Sequence, residues 1–438
     1  MQVVDILIIH GTIVPMVSKA VILDAALAIN SGKIVAIDTT HNIVKRYSAQ
    51  TILDAHQSLI LPGFVNGHTH VGMSMMRGVA DEAKNLQEWL NNYIFPLEKK
   101  ILSEDFVYWS TMLACYEMIQ SGITMFADMY FFENASARAV LHAGMRAILG
   151  ETIFIEQDIF YAEEFCKEFN NNRSIKPAFA PHSLYSCDAQ TLIAAHKKSQ
   201  EARVPFIIHV AEQQDELYEL YKKTGMSPGE YMLSLGILSD NVIIAHGVHF
   251  SDSDLKSIAQ SGASIIYNPS SNMKLGSGIA HVKSMQEHGI PVGIGTDGVA
   301  SNNSLDSFAE MKTGALLQNL CVADYCKPLS PFEVVKLATI DGAHALKMGD
   351  KIGTLEVGKC ADILVMGTQA FHQIPDFDIY SQIVYASKST DVQTVIIDGK
   401  IVMHDCKMLT LDSYKNEMHK KINFYKVQIL SKIRYQDL

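Results

Sequence analysis

Pro62-Gly63-Phe64-Val65-Asn66-Gly67-His68-Thr69-His70 is the stretch from which the fold can be read. A short strand-like run, Gly63–Asn66, leads into two histidines one residue apart. Residues i and i+2 of an extended chain share a face, so both imidazoles point the same way. Strands that end in functional side chains mark a β/α barrel, whose chemistry gathers at the C-terminal strand ends.

Other strands follow the same rule. Working outward, strands are predicted at Thr124–Asp128, Arg146–Leu149, Ala178–Ala180, Pro205–Val210, Asn241–Ala245, Ser264–Tyr267 and Val292–Gly295. Most are apolar without alternation, as expected when helices cover both faces of a sheet. Between the first two, Ser103 is a candidate N-cap with Glu104 and Asp105 in the first turn. Phe106, Trp109, Leu113 and Tyr116 then recur at helical spacing until Gly122 stops the helix. Eight strands in this alternation predict an α/β fold of the (β/α)8 TIM-type barrel class. Strand four runs into His182, strand five into His209 with Glu212 just beyond, strand six into His246, and strand eight into Asp297.

The two ends of the chain resemble each other more than the middle. Ile8-Ile9-His10-Gly11-Thr12-Ile13-Val14 and Ile396-Ile397-Asp398-Gly399-Lys400-Ile401-Val402 are both β runs broken by a glycine-containing turn signal. Ala26–Asn30, Ile34–Ile37 and Asp362–Met366 add short strands. A small β-sandwich domain built from both chain termini accounts for this. The expected division is residues 1–61 with 350–438 for the sandwich, and 62–349 for a metal-dependent catalytic barrel.

Composition bounds the partners. With 438 residues, 48% hydrophobic and 19% charged, the chain has the make-up of a globular protein with a sizeable core. A formal net charge of −11 argues against a nucleic-acid partner, because phosphate binding wants a basic face. Seven scattered cysteines without a C-x-x-C pair fit reduced thiols and a cytoplasmic location. The start, Met1 to Pro15, lacks the basic and small-residue regions of a signal peptide. No apolar run reaches the ~20 residues a membrane span needs.

The strand-end residues carry the chemistry. His68 and His70 on one face suit zinc, which takes nitrogen ligands at about 2.0–2.1 Å in a compact shell. His209 adds a third imidazole, and Glu212 follows a buried apolar run, Phe206-Ile207-Ile208. Asp297 stands between small residues in Gly295-Thr296-Asp297-Gly298, where little obstructs its approach to a metal or a water. Any one of these motifs is weak; all of them at predicted strand ends of one barrel are specific.

Together, Pro62–His70, His209-x-Ala211-Glu212, Ala245-His246-Gly247 and Gly295–Gly298 resemble the amidohydrolase superfamily. Asn268-Pro269-Ser270-Ser271-Asn272-x-Lys274-Leu275-Gly276-x-Gly278 and Asp297-Gly298-x-Ala300-Ser301-Asn302-Asn303 narrow the resemblance. They are similar to the branch of 5-methylthioadenosine/S-adenosylhomocysteine deaminases, cytosine and guanine deaminases, and triazine hydrolases. The resemblance implies that His68, His70, His209 and Asp297 bind one divalent metal, most often Zn2+, a set that Fe2+ or Mn2+ can also occupy. It implies His246 beside the metal water and a homo-oligomeric assembly. Binuclear relatives carry a bridging lysine after strand four; this chain has His182 there, so one metal is expected.

The resemblance also marks substrate contacts. Glu98 in Pro96-Leu97-Glu98 is similar to a ribose-binding glutamate, and His182 to a histidine near the purine. Arg146 in Gly144-Met145-Arg146-Ala147 is similar to an arginine that meets a homocysteine carboxylate. Trp89 and the run Met73–Met76 are candidates to line an adenine or thioether pocket. Two departures stand out: no arginine occurs between Glu151 and Asn172, and His281 replaces the usual proline.

The expected mechanism follows. A metal with an open position lowers the pKa of its water from about 15.7 to about 7. Asp297 is suited to take the water's proton, with His246 orienting the nucleophile. Glu212 is suited to protonate the ring nitrogen as a general acid/base that is not a ligand, as in zinc deaminases of another fold. The presence of Glu212 favours amino-group removal over halide displacement. The leading expectation is a zinc-dependent hydrolytic deaminase of adenosine-type nucleosides (S-adenosylhomocysteine, 5′-methylthioadenosine or adenosine) that releases ammonia. A second reading changes the ring to guanine, an oxidised purine, a pterin or a triazine. A third keeps the barrel as a non-catalytic binding or assembly protein.

Overall fold

A computed structural model describes residues 1–83, 85–320 and 328–433. Cys321 and Cys326 lie outside them; Cys115, Cys166, Cys187, Cys360 and Cys406 are unbridged. Five strands open the chain: β1 (Gln2–Ile13), β2 (Ile22–Asn30), β3 (Lys33–Thr39), β4 (Tyr47–Asp54) and β5 (Ser58–Pro62). Eight follow as a second sheet: β6 (Phe64–Thr69), β7 (Ile123–Tyr130), β8 (Arg146–Ile153), β9 (Ile175–Pro181), β10 (Phe206–Val210), β11 (Val242–His246), β12 (Ser264–Tyr267) and β13 (Val292–Ile294). The chain then returns to the first sheet with β14 (Ile363–Gly367), β15 (Val392–Ile397), β16 (Lys400–His404) and β17 (Lys407–Met408).

In the second sheet every strand pairs parallel to its chain neighbour, with helices between, as a (β/α)8 barrel requires. The first and last strands meet where the chain leaves β13, with the Asp297 N–H donating to the His68 carbonyl of β6 at 2.9 Å. Asn66 reinforces that seam: its Oδ1 accepts from Thr296 N at 2.9 Å and its Nδ2 donates to Thr296 Oγ1 at 2.8 Å. The helix Glu104–Gln120 between β6 and β7 is capped by Ser103 Oγ, which accepts the Phe106 N–H at 3.2 Å. It ends before Gly122, whose φ of +81° suits the residue that stops a helix.

Alternation inside the barrel strands decides what reaches the lumen. Val65, Met125, Ala127, Ile148, Ile207 and Ile243 form an inner cluster, while Phe64, Phe126, Phe206 and Ile208 join the outer one beneath the helices. On β6 the register with β7 slips between Asn66 and Thr69, so three steps on one strand match two on the other. That extra residue inverts the alternation and puts His68 and His70 on the same side as Ala127 and Met129. Without the bulge, both imidazoles would face the helices.

The first sheet interleaves the termini. β5 runs antiparallel to β14, pairing Ile60 with Val365 and Leu61 with Leu364. Its two halves share one buried cluster, with Ile8 and Leu27 from the first arm and Ile363, Val365 and Ile396 from the second. On the opposite face, Leu364, Met366, Val395 and Ile397 pack into the barrel's outer core. The turn signal at Asp398-Gly399 makes the expected two-residue hairpin, with φ of 51° and 75°. The one at His10-Gly11 does not. There β1 continues, and His10 at φ 62° sits in a bulge between the Ile8–Leu27 and Gly11–Ala25 pairs. The last strand ends at Met408, and the helix Lys415–Ile433 beyond it packs on the barrel, with Tyr425 against Phe106 and bonded to Asp105 at 2.7 Å. Among the described residues no helix is long and apolar enough to cross a membrane.

Candidate active site

Four side chains from three strand ends converge at the C-terminal rim. His209 Nε2 lies 3.2 Å from His68 Nε2. Asp297 Oδ1 lies 3.2 Å from His70 Nε2 and 3.5 Å from His68 Nε2. His246 joins the set beside His68 and His209. Imidazole nitrogens and a carboxylate oxygen gathered around one point are the donor set of a zinc-type site. His68 Nδ1, on the side of the ring away from this cluster, is buried and has no partner in the structure.

The backbone is bent to make this happen. Ala211, His246 and Asp297 all take left-handed φ, at 56°, 75° and 58°. Non-glycine residues rarely adopt that region, and each instance costs on the order of 1 kcal/mol or more. The strain is confined by hydrogen bonds around it. Glu216 accepts the N–H groups of Ala211 and Glu212, both at 3.1 Å, and so folds the loop after β10.

A second ring of groups orients the first. The His209 Nδ1–H donates to the His182 carbonyl at 2.7 Å, and the His70 Nδ1–H to the Met129 carbonyl at 2.6 Å. Both contacts leave Nε2 as the atom turned to the centre. Ser271 Oγ and Ser301 Oγ donate to Asp297 Oδ2 at 2.5 and 3.1 Å, and the Gly298 N–H donates to Oδ1 at 2.8 Å. The Asn272 amide lies 2.9 Å from His246 Nδ1, which leaves His246 Nε2 3.6 Å from Glu212 Oε2.

The electrostatics divide the site by role. Burial, with the neighbouring imidazoles adding to it, drives His209 well below its ordinary value, so it is a neutral ligand candidate. Burial likewise takes His246 down to about 3. Burial opposes the charge on Asp297, but His68 and His70 outweigh it and hold the carboxyl well below the carboxylate range. Glu212 goes the other way. Burial, then the Asp297 charge, pushes it well above its usual value, as a proton carrier at neutral pH requires.

These residues open onto a cavity of about 630 Å³ lined also by Trp89, Glu98 and His182. Trp89 is buried in the helical segment above the rim and presents a face to the cavity. Glu98 is buried and accepts the Tyr130 hydroxyl at 2.5 Å. Of the Met73–Met76 run, Met73 reaches the cavity while Met76 is core. Arg146 must be corrected. It opens β8 rather than ending it, so it lies at the other end of the strand, where its guanidinium is held by Asp362 at 2.7 Å and by Asp398. It cannot meet a substrate carboxylate there. Tyr130, Ser271, Ser301, Asn272 and Glu216 had no assigned role in the sequence. Tyr130 ends β7 and carried the strand-end signal, whereas the others lie in the helices that follow β10, β12 and β13.

Comparison with known proteins agrees with this geometry. The Amidohydrolase family model matches residues 59–402. A 5-methylthioadenosine/S-adenosylhomocysteine deaminase 1 of Syntrophus aciditrophicus (strain SB) is 40% identical over 423 residues, spanning 94% of this chain and 95% of that protein. A 5′-deoxyadenosine deaminase of Methanosarcina mazei is 38% identical over 400 residues, spanning 89% and 90%. A crystal structure of an adenosine deaminase from Xanthomonas campestris with bound zinc superposes with a TM-score of 0.94 at 30% identity, covering 98% of this chain and 99% of that one. The bulged first strand, the converging histidines and the end-to-end match have one common explanation: the chain belongs to the amidohydrolase family.

Proposed function

We propose that the protein is a zinc-dependent hydrolase that deaminates adenosine-type nucleosides, converting the amino-bearing ring carbon to a carbonyl and releasing ammonia. The observation that carries this reading is the meeting of the His68 and His209 Nε2 atoms and Asp297 at the floor of a cavity that also holds the raised acid Glu212. Relatives named as deaminases of 5-methylthioadenosine, S-adenosylhomocysteine and 5′-deoxyadenosine support the substrate class.

His68, His70, His209 and Asp297 would hold the ion, which when bound supplies an acidified water at neutral pH. Asp297, ionised and fixed by Ser271 and Ser301, accepts a proton from the attacking water. His246, fixed by Asn272 and neutral, donates through Nε2 toward the oxygen as charge develops. Glu212 delivers its proton to the ring nitrogen as the adjacent carbon is attacked and recovers one from the new hydroxyl, while Asp297 passes the water's first proton to the amine, which departs as ammonia. Glu98 accepts from ribose hydroxyls, and its burial with Tyr130 favours a nucleoside over a free base. His182 and Trp89 bracket the purine from the cavity wall.

The reading extends to a cytoplasmic homo-oligomer, for which the almost fully exposed Phe371 and Phe377 offer apolar surface. An ammonia-release assay on metal-loaded protein tests the core of it. Adenosine-type nucleosides should turn over faster than guanine, a pterin or a triazine. Faster turnover of a free base would replace this reading with the second one.

A further inference from the structure

The wall of the cavity beyond the metal ligands is aromatic. Phe131 and Phe154 stack with centroids 6.2 Å apart and planes 15° apart, and Phe154 lies over His182 at 4.8 Å and 21°. Phe95 meets Phe154 edge-on at 6.2 Å. Glu98, the ribose acceptor, follows Phe95 by less than a helical turn, and its partner Tyr130 immediately precedes Phe131. A ribose held by Glu98 would lie beside this shelf of rings.

Among the described residues no lysine or arginine lines the cavity, and the carboxyl groups facing it are Glu98, Glu212 and Asp297. Arg146 is bound to Asp362 and Asp398 at the far end of β8. The nearest further charge on β8 is also an acid, Glu151, whose carboxyl accepts the Phe132 and Glu133 N–H groups at 3.1 and 2.9 Å. Aromatic faces carry partial negative charge, and a carboxylate buried against them without a donor keeps its whole desolvation cost.

We infer that the substrate is a purine nucleoside whose 5′ substituent is short, apolar and uncharged, and that a 5′ tail ending in an amino-acid carboxylate is rejected. This rests on the nucleoside reading above and sharpens it, because the relatives' names span both kinds of tail.

The test is kcat/KM for ammonia release by the zinc-loaded protein on 5′-deoxyadenosine, 5′-methylthioadenosine, 5′-butylthioadenosine and S-adenosylhomocysteine. The butylthio compound matches the homocysteine tail in length without its charges. The three uncharged nucleosides should agree within about tenfold, with S-adenosylhomocysteine lower by about 100-fold or more, the cost of an unpaired buried carboxylate. Turnover of S-adenosylhomocysteine equal to that of 5′-methylthioadenosine would overturn the inference. A butylthio compound as poor as S-adenosylhomocysteine would overturn it too, since length and not charge would then be read. Ammonia from none of the four is a different result, which would remove the nucleoside reading itself.

Discussion

The barrel buries charged groups at both of its ends, and the two sets are built in opposite ways. At the N-terminal end of β8, Arg146 donates to Asp362 at 2.7 Å, to Asp398 and to the Arg173 carbonyl at 3.3 Å, while Asp362 also accepts the Asp398 N–H at 2.7 Å. Every group there has its partner, and the cluster ties the barrel to the hairpin of the terminal sheet. At the C-terminal rim, acceptor nitrogens face each other at 3.2 Å, a buried His68 nitrogen has no partner, and Ala211, His246 and Asp297 hold left-handed φ. Buried charge that is fully paired serves the fold. Buried imidazole nitrogens and a carboxylate oxygen turned toward one point suit a cation.

The contrast breaks most sharply at Glu212. Glu212→Gln should leave one metal per chain and lower kcat by about 1,000-fold or more, the scale of an essential proton shuttle. Near-normal turnover in that variant would take Glu212 out of proton transfer. Next comes His209→Ala, which removes a ligand candidate rather than a proton carrier. Metal content by mass spectrometry should fall well below one per chain, with affinity reduced by more than about 100-fold, beyond what loss of an outer partner costs. A fully metallated variant would show that the ligand set is wrong.

At the other end, Arg146→Met should cost about 3 kcal/mol of stability, because Asp362 is left charged and buried without its partner. Denaturant midpoints should record that loss while KM for nucleosides stays unchanged. A raised KM with wild-type stability would place Arg146 in the substrate site after all.

The smallest expected effect is the pH dependence of Glu98. Burial lifts its carboxyl to about 7, against the Tyr130 hydroxyl, which favours the charged form. In the proposed role an ionised Glu98 would accept from both ribose hydroxyls, so KM should rise as pH falls through about 7. Tyr130→Phe removes the stabilising contact and should move that rise to higher pH by less than about one unit. The same shift fixes a sign for stability. The native carboxyl keeps its proton up to about 7, whereas the unfolded chain releases it near 4.5, so stability declines as pH rises across that window. Glu98→Gln should flatten the decline in urea midpoints measured between those values; an unchanged slope would assign it to another group.

Much of this was legible in the residues. Strands buried on both faces must be apolar throughout, so runs such as Phe206-Ile207-Ile208 announce themselves, and polar residues at their ends are conspicuous. The same rule, applied strictly, excludes Arg146, which begins its strand, and points to Phe131 and Phe154, each one residue beyond a strand end. What stayed illegible depends on contacts between distant segments. Ser271 touches Asp297 only because the barrel brings β12 beside β13, and Asn272 reaches His246 across two neighbouring strand ends. The bulge that turns His68 and His70 inward leaves no mark in composition; it shows only once β6 is paired with β7. The hairpin signals at the two termini were alike in sequence, yet His10-Gly11 became a bulge because β1 has partners on both sides of that point.

The most direct test is a zinc titration of chelator-stripped protein, followed by ammonia release from 5′-methylthioadenosine. A single centre built from His68, His70, His209 and Asp297 predicts no turnover without metal and a linear rise that saturates at one equivalent per chain. Full activity in the stripped protein, or saturation only at two equivalents, would contradict it.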